Sequence, residues 1–269
     1  MKNFFAISTI FFLSFISCNK EKNSVESTSQ LPEKTVSTPE KFAIDSVKVD
    51  DSLKIDNNLT IAFKSKLLVF SQIKDSILLD SIYAKENIHS TNYSKANLTK
   101  ELEAKKAAFY TETKNGLKDY KPDFKQTWNN NSDMNVFSNQ NDLLTIKYSG
   151  DGFTGGAHGY YYEFYKVFDL KNNKTLYLSD ILSEQDPKIW SRILMDNFLK
   201  NDLGKGQAEM LLVKEIQLNE NFYFGKDHLY FLYNQYEITA YAAGPVLIKV
   251  PFSAIKPLLK SEFKTRLGL

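Results

Sequence analysis

Hydrophobic and polar residues alternate along this chain with two periods, and the switch between them separates strands from helices. Phe42, Ile44, Val47 and Val49 begin a strand-like pattern that residues 59–70 repeat more strongly, so the folded part is expected to open with two strands. Residues 72–88 place Ile73, Ile77, Leu78 and Ile82 at near-helical spacing, and residues 98–117 place Leu98, Leu102 and Phe109 among charged residues; both read as helices. Asn97 is positioned to cap the second helix and Gly116 to end it. From Phe124 onward the pattern predicts strands at 136–137, 143–148, 160–170 and 175–178. Lys171-Asn172-Asn173-Lys174 forms a hairpin turn, because Asn tolerates positive φ. The next helix has the sharpest boundaries: Asp186 can cap it, Pro187 sits where a missing N–H costs nothing, and Gly204 stands just past its end. Ile189, Trp190, Ile193, Leu194 and Phe198 form its expected buried face. Strands at 221–224, 229–233 and 246–250 and a terminal helix within 253–267 close the chain.

These elements predict an α+β fold, mainly antiparallel sheet packed by three to four helices, with an N-terminal β-α region over 42–120 and a C-terminal α+β domain over 121–269. No internal repeat is visible.

The segment ahead of the folded part has a different character. Lys2 is followed by an apolar run from Phe4, and Ile16-Ser17-Cys18 puts a small residue directly before a cysteine. The run stops short of the roughly 20 apolar residues that a membrane helix needs. It resembles the lipobox of bacterial lipoproteins, with Phe15 where Leu is more usual. Residues 1–17 are therefore expected to be a lipoprotein signal peptide and Cys18 the lipidated residue, which would attach the chain to a membrane; an ordinary secretory signal cleaved nearby is the alternative reading. Residues 18–41, rich in Ser, Thr, Glu and Lys, cannot bury enough apolar area to offset their ordering entropy and read as a flexible tether. The expected location is the bacterial cell envelope, lipid-anchored at the outer membrane, on its periplasmic side or at the surface.

Composition narrows the partners only slightly. With 34 basic and 32 acidic residues the formal charge is +2, and no basic run stands out, so neither nucleic acid nor an anionic membrane surface is implied. The 42% hydrophobic content, with 20 Phe and 15 Tyr, suffices for a core without metal or disulfide.

Several motifs then follow in order: Gly155-Gly156-Ala157-His158-Gly159, the hairpin ending Thr175-Leu176-Tyr177-Leu178-Ser179-Asp180-Ile181, and Phe222-Tyr223-Phe224 through Tyr236-Glu237-Ile238 to Tyr241-Ala242-Ala243-Gly244. In their spacing the chain resembles the extracellular domain of unknown function shared by the anti-sigma factor RsiV and the peptidoglycan deacetylase PdaC, over residues 143–255, with a looser likeness to the companion N-terminal domain over 42–118. The resemblance implies a binding or sensing module: in the anti-sigma factor the similar region binds lysozyme, and in the deacetylase it accompanies a catalytic domain that this chain lacks.

Read without the family, the same residues leave alternatives open. Gly150-Asp151-Gly152-Phe153-Thr154-Gly155 fits G-x-G-x-x-G, but the aromatic run Tyr160-Tyr161-Tyr162-Glu163-Phe164-Tyr165 follows where a dinucleotide site needs a helix, so the glycines read as a turn relieving crowding between strands. His158 is either an accessible functional imidazole or hydrogen-bonded within its loop. In the aromatic run Tyr160, Tyr162, Phe164 and Phe168 alternate with Tyr161, Glu163, Tyr165 and Val167; one face must be core, and the other is a flat aromatic platform or packs under a helix. Residues 236–244 form either a tight corner or part of a site. His89, His158 and His228 are scattered and no H-E-x-x-H spacing occurs, so no metal and no cofactor is expected. G-x-S-x-G is absent and no spacing singles out a carboxylate pair, so no enzyme is expected. Two functions stand: a binding module for an envelope protein such as a lysozyme-like hydrolase, using His158, Tyr236, Glu237 and Tyr241, or a structural lipoprotein that binds peptidoglycan or another envelope glycan.

Overall fold

The structure, a computed structural model of the chain, describes residues 44–118 and 121–269. The expected signal peptide, the lipidated Cys18, the tether to residue 41 and the strand start at Phe42 lie outside the described residues.

The fold is α+β and contains two sheets. Six strands, β1 (Ile44–Lys54), β2 (Leu59–Phe70), β3 (Gln126–Gln140), β4 (Leu143–Phe153), β5 (Tyr160–Asp169) and β6 (Lys174–Leu176), lie side by side in sequence order. Their pairings are antiparallel except between β2 and β3, which run parallel with Leu59 beside Gln126. A parallel pair needs a long crossover, supplied here by α1 (Ser76–Tyr83) and α2 (Lys95–Gly116). The regions on either side of residue 120 thus share one sheet. Helices α3 (Leu178–Ile181) and α4 (Pro187–Asn201) lead to a second, antiparallel sheet of β7 (Phe222–Phe224), β8 (His228–Tyr233) and β9 (Val246–Pro251), and α5 (Phe252–Ile255) and α6 (Ser261–Leu267) end the chain.

Helix starts follow local chemistry. Asp186 accepts hydrogen bonds from the N–H groups of Lys188 and Ile189, as its sequence context predicts. For α2 the expectation is corrected: Ser94, not Asn97, accepts from the helix, and the Asn97 side chain donates to the Asn92 carbonyl. The helix starts earlier than its apolar spacing shows because its first turn, Lys95 and Ala96 included, is exposed. On α4, Trp190, Leu194 and Phe198 are buried, but Ile189 is 43% exposed, since it lies off the stripe that those i, i+4 residues define.

Two further expectations change. Strand β3 runs from Gln126, far beyond residues 136–137, although its sequence is mostly polar. Paired on both edges, its backbone is satisfied whatever its side chains are. Gly150 and Gly152 lie in β4 rather than in a turn, opposite Tyr162 and Tyr160 of β5. A Cβ on either glycine would come 2.5 Å from the facing tyrosine ring, so these glycines let two aromatic rings lie flat across the sheet.

The core has two main parts. One lies under α1 and α2, where Leu98, Leu102 and Phe109 meet Val47, Phe63, Leu67, Met134 and Ile146. The other joins α4 to the second sheet, with Trp190, Phe198, Phe222 and Phe231 packed against Val167 and Leu176 of the large sheet. Arg266 of α6 closes this second part through a bidentate pair with Asp169, at 2.6 and 2.9 Å.

Candidate functional site

The second sheet meets the large one along the open edge of β5. Before β6 begins to pair at Val167, the β5 backbone has no strand beside it on that side, and side chains take the place of a strand. The Asn221 amide accepts from the Tyr165 N–H at 2.7 Å and donates to the Glu163 carbonyl at 2.9 Å. The Asn234 amide accepts from the Glu163 N–H at 2.8 Å and donates to the same carbonyl at 3.1 Å. One step further along, the Tyr241 hydroxyl donates to the Gly159 carbonyl at 3.1 Å, a contact between residues 82 apart in sequence.

This seam brings the loop between β4 and β5 against the corner that follows β8. The loop turns at Gly155 and Gly156, both at φ +92°, a conformation that side-chain-bearing residues rarely adopt. His158 is exposed, its Nδ1 lies 2.8 Å from the Gly159 carbonyl oxygen, and its ring stacks on that of Tyr241 with centroids 4.1 Å apart. Tyr236 extends the cluster, its ring 5.7 Å from that of Tyr241. The corner is tight: the Tyr236 N–H donates to the Thr239 carbonyl, the Glu237 N–H donates to the Asn234 carbonyl, and the Glu237 carboxylate accepts from the Asn234 N–H at 2.9 Å.

Of the four residues singled out in the sequence, His158, Tyr236 and Tyr241 form one aromatic cluster, while Glu237 serves the turn with its side chain. Both readings of His158 hold at once, since it is exposed and also contacts its own loop. Tyr236 is unusual on two counts. It is 60% exposed, and its φ is +67°, in the left-handed region that a bulky residue enters at a cost of about 1–3 kcal/mol. Tyr241 is partly buried and tied to the seam, so it supports the cluster as much as it displays it.

A second group beside the seam escaped the sequence reading. Glu163 accepts from Tyr161 at 2.7 Å, Tyr165 at 2.5 Å and Lys147 at 2.8 Å. Burial opposes ionisation of Glu163, but the hydrogen bonds from Lys147, Tyr165 and Tyr161 outweigh it and hold the carboxyl below its ordinary range. Burial and the same carboxylate push the phenols of Tyr161 and Tyr165 up. The signal was the i, i+2 spacing of Tyr161, Glu163 and Tyr165 on one strand face; Lys147, directly across from Tyr165 on β4, could be placed only by register. Both faces of the aromatic run prove to be covered towards its C-terminal end: Phe164 and Phe168 pack with the helices, and Tyr165 packs against Tyr223. Tyr160 and Tyr161 at its start are 44% and 38% exposed. Among the described residues no three His, Cys, Asp or Glu side chains converge as metal ligands, and no helix is long and apolar enough to cross a membrane.

A family model described as a protein of unknown function, DUF3298, matches residues 84–253, more than half of the chain. Among solved structures, a member of that family from Bacteroides fragilis is 23% identical, with a TM-score of 0.67 over 84% of this chain and 96% of its own. A DUF3298 family protein from Pseudomonas aeruginosa is 18% identical, with a TM-score of 0.53 over 85% of this chain and 97% of its own. At these identities both are alike in fold alone. No curated protein matches.

Proposed function

The chain belongs to the DUF3298 family, for which no activity is assigned, and from its own geometry we propose that it is a non-catalytic binding or sensing module of the cell envelope. Its partner is a folded envelope protein of the lysozyme-like hydrolase class, as its resemblance to the lysozyme-binding region of the anti-sigma factor suggests. A lipid on Cys18 holds it at the membrane, and Cys18→Ala would leave it as an uncleaved precursor or release it to the soluble fraction.

One observation carries the reading: an exposed tyrosine, Tyr236, is kept in a strained backbone conformation beside the stacked His158 and Tyr241 rings. Strain of that kind persists where the surrounding structure imposes it, and an exposed tyrosine backed by stacked rings suits the centre of a protein interface.

Tyr236→Gly is the informative variant, because glycine adopts positive φ freely. Its melting temperature should not fall, while affinity for hen lysozyme, followed by titration calorimetry, should drop by about 2 kcal/mol. Unchanged affinity in a folded variant would place the interface elsewhere. Failure of the unaltered protein to bind lysozyme would remove this class of partner.

A further inference from the structure

The face of the large sheet turned away from α1 and α2 forms an open depression of about 430 Å³ that includes Lys64, Lys66, Asn131, Asp133, Asp151 and Tyr161. We propose that this depression binds an uncharged oligosaccharide, at a site separate from the aromatic cluster and independent of its role.

Charge comes first. Lys48, Lys64 and Lys66 share the lining with Asp50, Asp133 and Asp151, so its formal charges cancel. An anionic polymer would need an excess of lysine; here apolar carbon makes up most of the lining between charges that cancel, which suits a sugar, whose ring faces are apolar and whose hydroxyls are polar and uncharged. Its volume falls in the range of roughly 300–1,000 Å³ typical of small-ligand sites.

The polar groups are also held in place before any ligand arrives. Asn131 and Asn129 donate to Oδ2 of Asp151 at 2.9 and 3.3 Å, Asn135 donates to Asp133 at 2.7 Å, and Lys66 bridges Asp133 and Asn135 at 2.6 and 2.5 Å. These short side chains therefore lose little freedom on binding. Oδ1 of Asp151 and the amide oxygen of Asn131 receive no hydrogen bond from a described residue, which leaves two acceptors for sugar hydroxyl or acetamido N–H groups. Tyr161 adds the flat apolar surface on which a sugar ring can lie. The residue is 38% exposed and its ring's orientation is set, because its hydroxyl donates to Glu163 at 2.7 Å.

The test is titration calorimetry of the full chain with chitotetraose and with cellotetraose, each at about 50 mM and about 500 mM salt. At least one should bind with an affinity that salt leaves unchanged. Tyr161→Ala and Asn131→Ala should each weaken it by about ten-fold with the circular dichroism spectrum intact, whereas Tyr236→Gly should leave it unaltered. The second variant decides the matter if Tyr161→Ala unfolds. No binding of either sugar at about 10 mM, binding abolished by salt, or full affinity in a folded Asn131→Ala variant would each overturn the proposal.

Discussion

The two faces of the large sheet are made by alternate residues of the same strands, yet one is buried under helices and the other changes character halfway across. On the helix side Val47, Leu67, Met134 and Ile146 form a continuous apolar layer. On the other side β1 to β4 present Asp50, Lys64, Asn131, Asp133 and Asp151 to the open depression. Towards the C-terminal end of β5 the same side disappears beneath the second sheet, where the Tyr165 and Tyr223 rings lie 4.4 Å apart. Antiparallel sheet tolerates such a division because its backbone bonds are complete whichever face meets water. The difference shows in the carboxylates: Asp50 and Asp169 both pair with a cation on this side, but the Asp50–Lys64 side chains are 71% and 67% exposed, whereas those of Asp169 and Arg266 are 1% and 13% exposed.

Replacing one partner of each pair should separate the two regimes. Arg266→Met leaves Asp169 buried without its cation and should lower unfolding free energy in urea by about 3–5 kcal/mol at neutral pH. This loss depends on pH in a defined sense. Burial alone would raise the Asp169 carboxyl, but hydrogen bonds from Arg266 and Asn172 bring it from 3.8 down to about 2. A depressed carboxyl contributes stability above its unfolded value and loses it as pH falls through its folded one. The gap between variant and parent should therefore narrow between about pH 4 and pH 2. A gap that stays constant over that range would show that the pair is not the source of the effect.

An intermediate effect is expected where the two sheets meet. Asn234→Ala deprives the Glu163 N–H of its acceptor and should cost about 1–3 kcal/mol in the same measurement, with faster amide exchange at Glu163. Unaltered exchange there would mean that the asparagine does not stand in for a strand. The smallest effect belongs to the open side, where Lys64→Ala should change stability by no more than about 0.5 kcal/mol, since the pair it removes is screened by water. If that substitution costs as much as Arg266→Met, the open side is not solvated and the contrast fails.

Legibility in the sequence follows the range of the interactions. Strand β2, expected at residues 59–70, occupies Leu59–Phe70, and α4 lies between the Asp186 and Gly204 signals, because apolar period and capping chemistry act within a few residues. The hairpin at 171–174 was readable for the same reason, and Asn173 has φ +49°. By contrast β3 was visible only at Val136 and Phe137, two of its four apolar residues, as mostly polar strands owe their state to neighbours rather than to their own pattern. In the candidate site, local composition marked His158, Tyr236 and Tyr241 as residues beside small neighbours, but Glu237 looked the same and turned out to brace the turn. Asn221 and Asn234, which hold the seam, carry no local signal at all.

By itself, then, the amino-acid sequence determined the kind of each element with a strong period, the turns that glycine and asparagine permit, and the α+β class, since propensity, capping and backbone sterics are properties of neighbouring residues. Only the tertiary structure decided that β2 would run parallel to β3, that asparagine side chains would complete the edge of β5, that Gly150 and Gly152 would lie under tyrosine rings, and that one polar face would stay open while its continuation was buried. Each of these depends on groups far apart in the chain, whose meeting is set by strand register and by the competition for buried area rather than by any local preference.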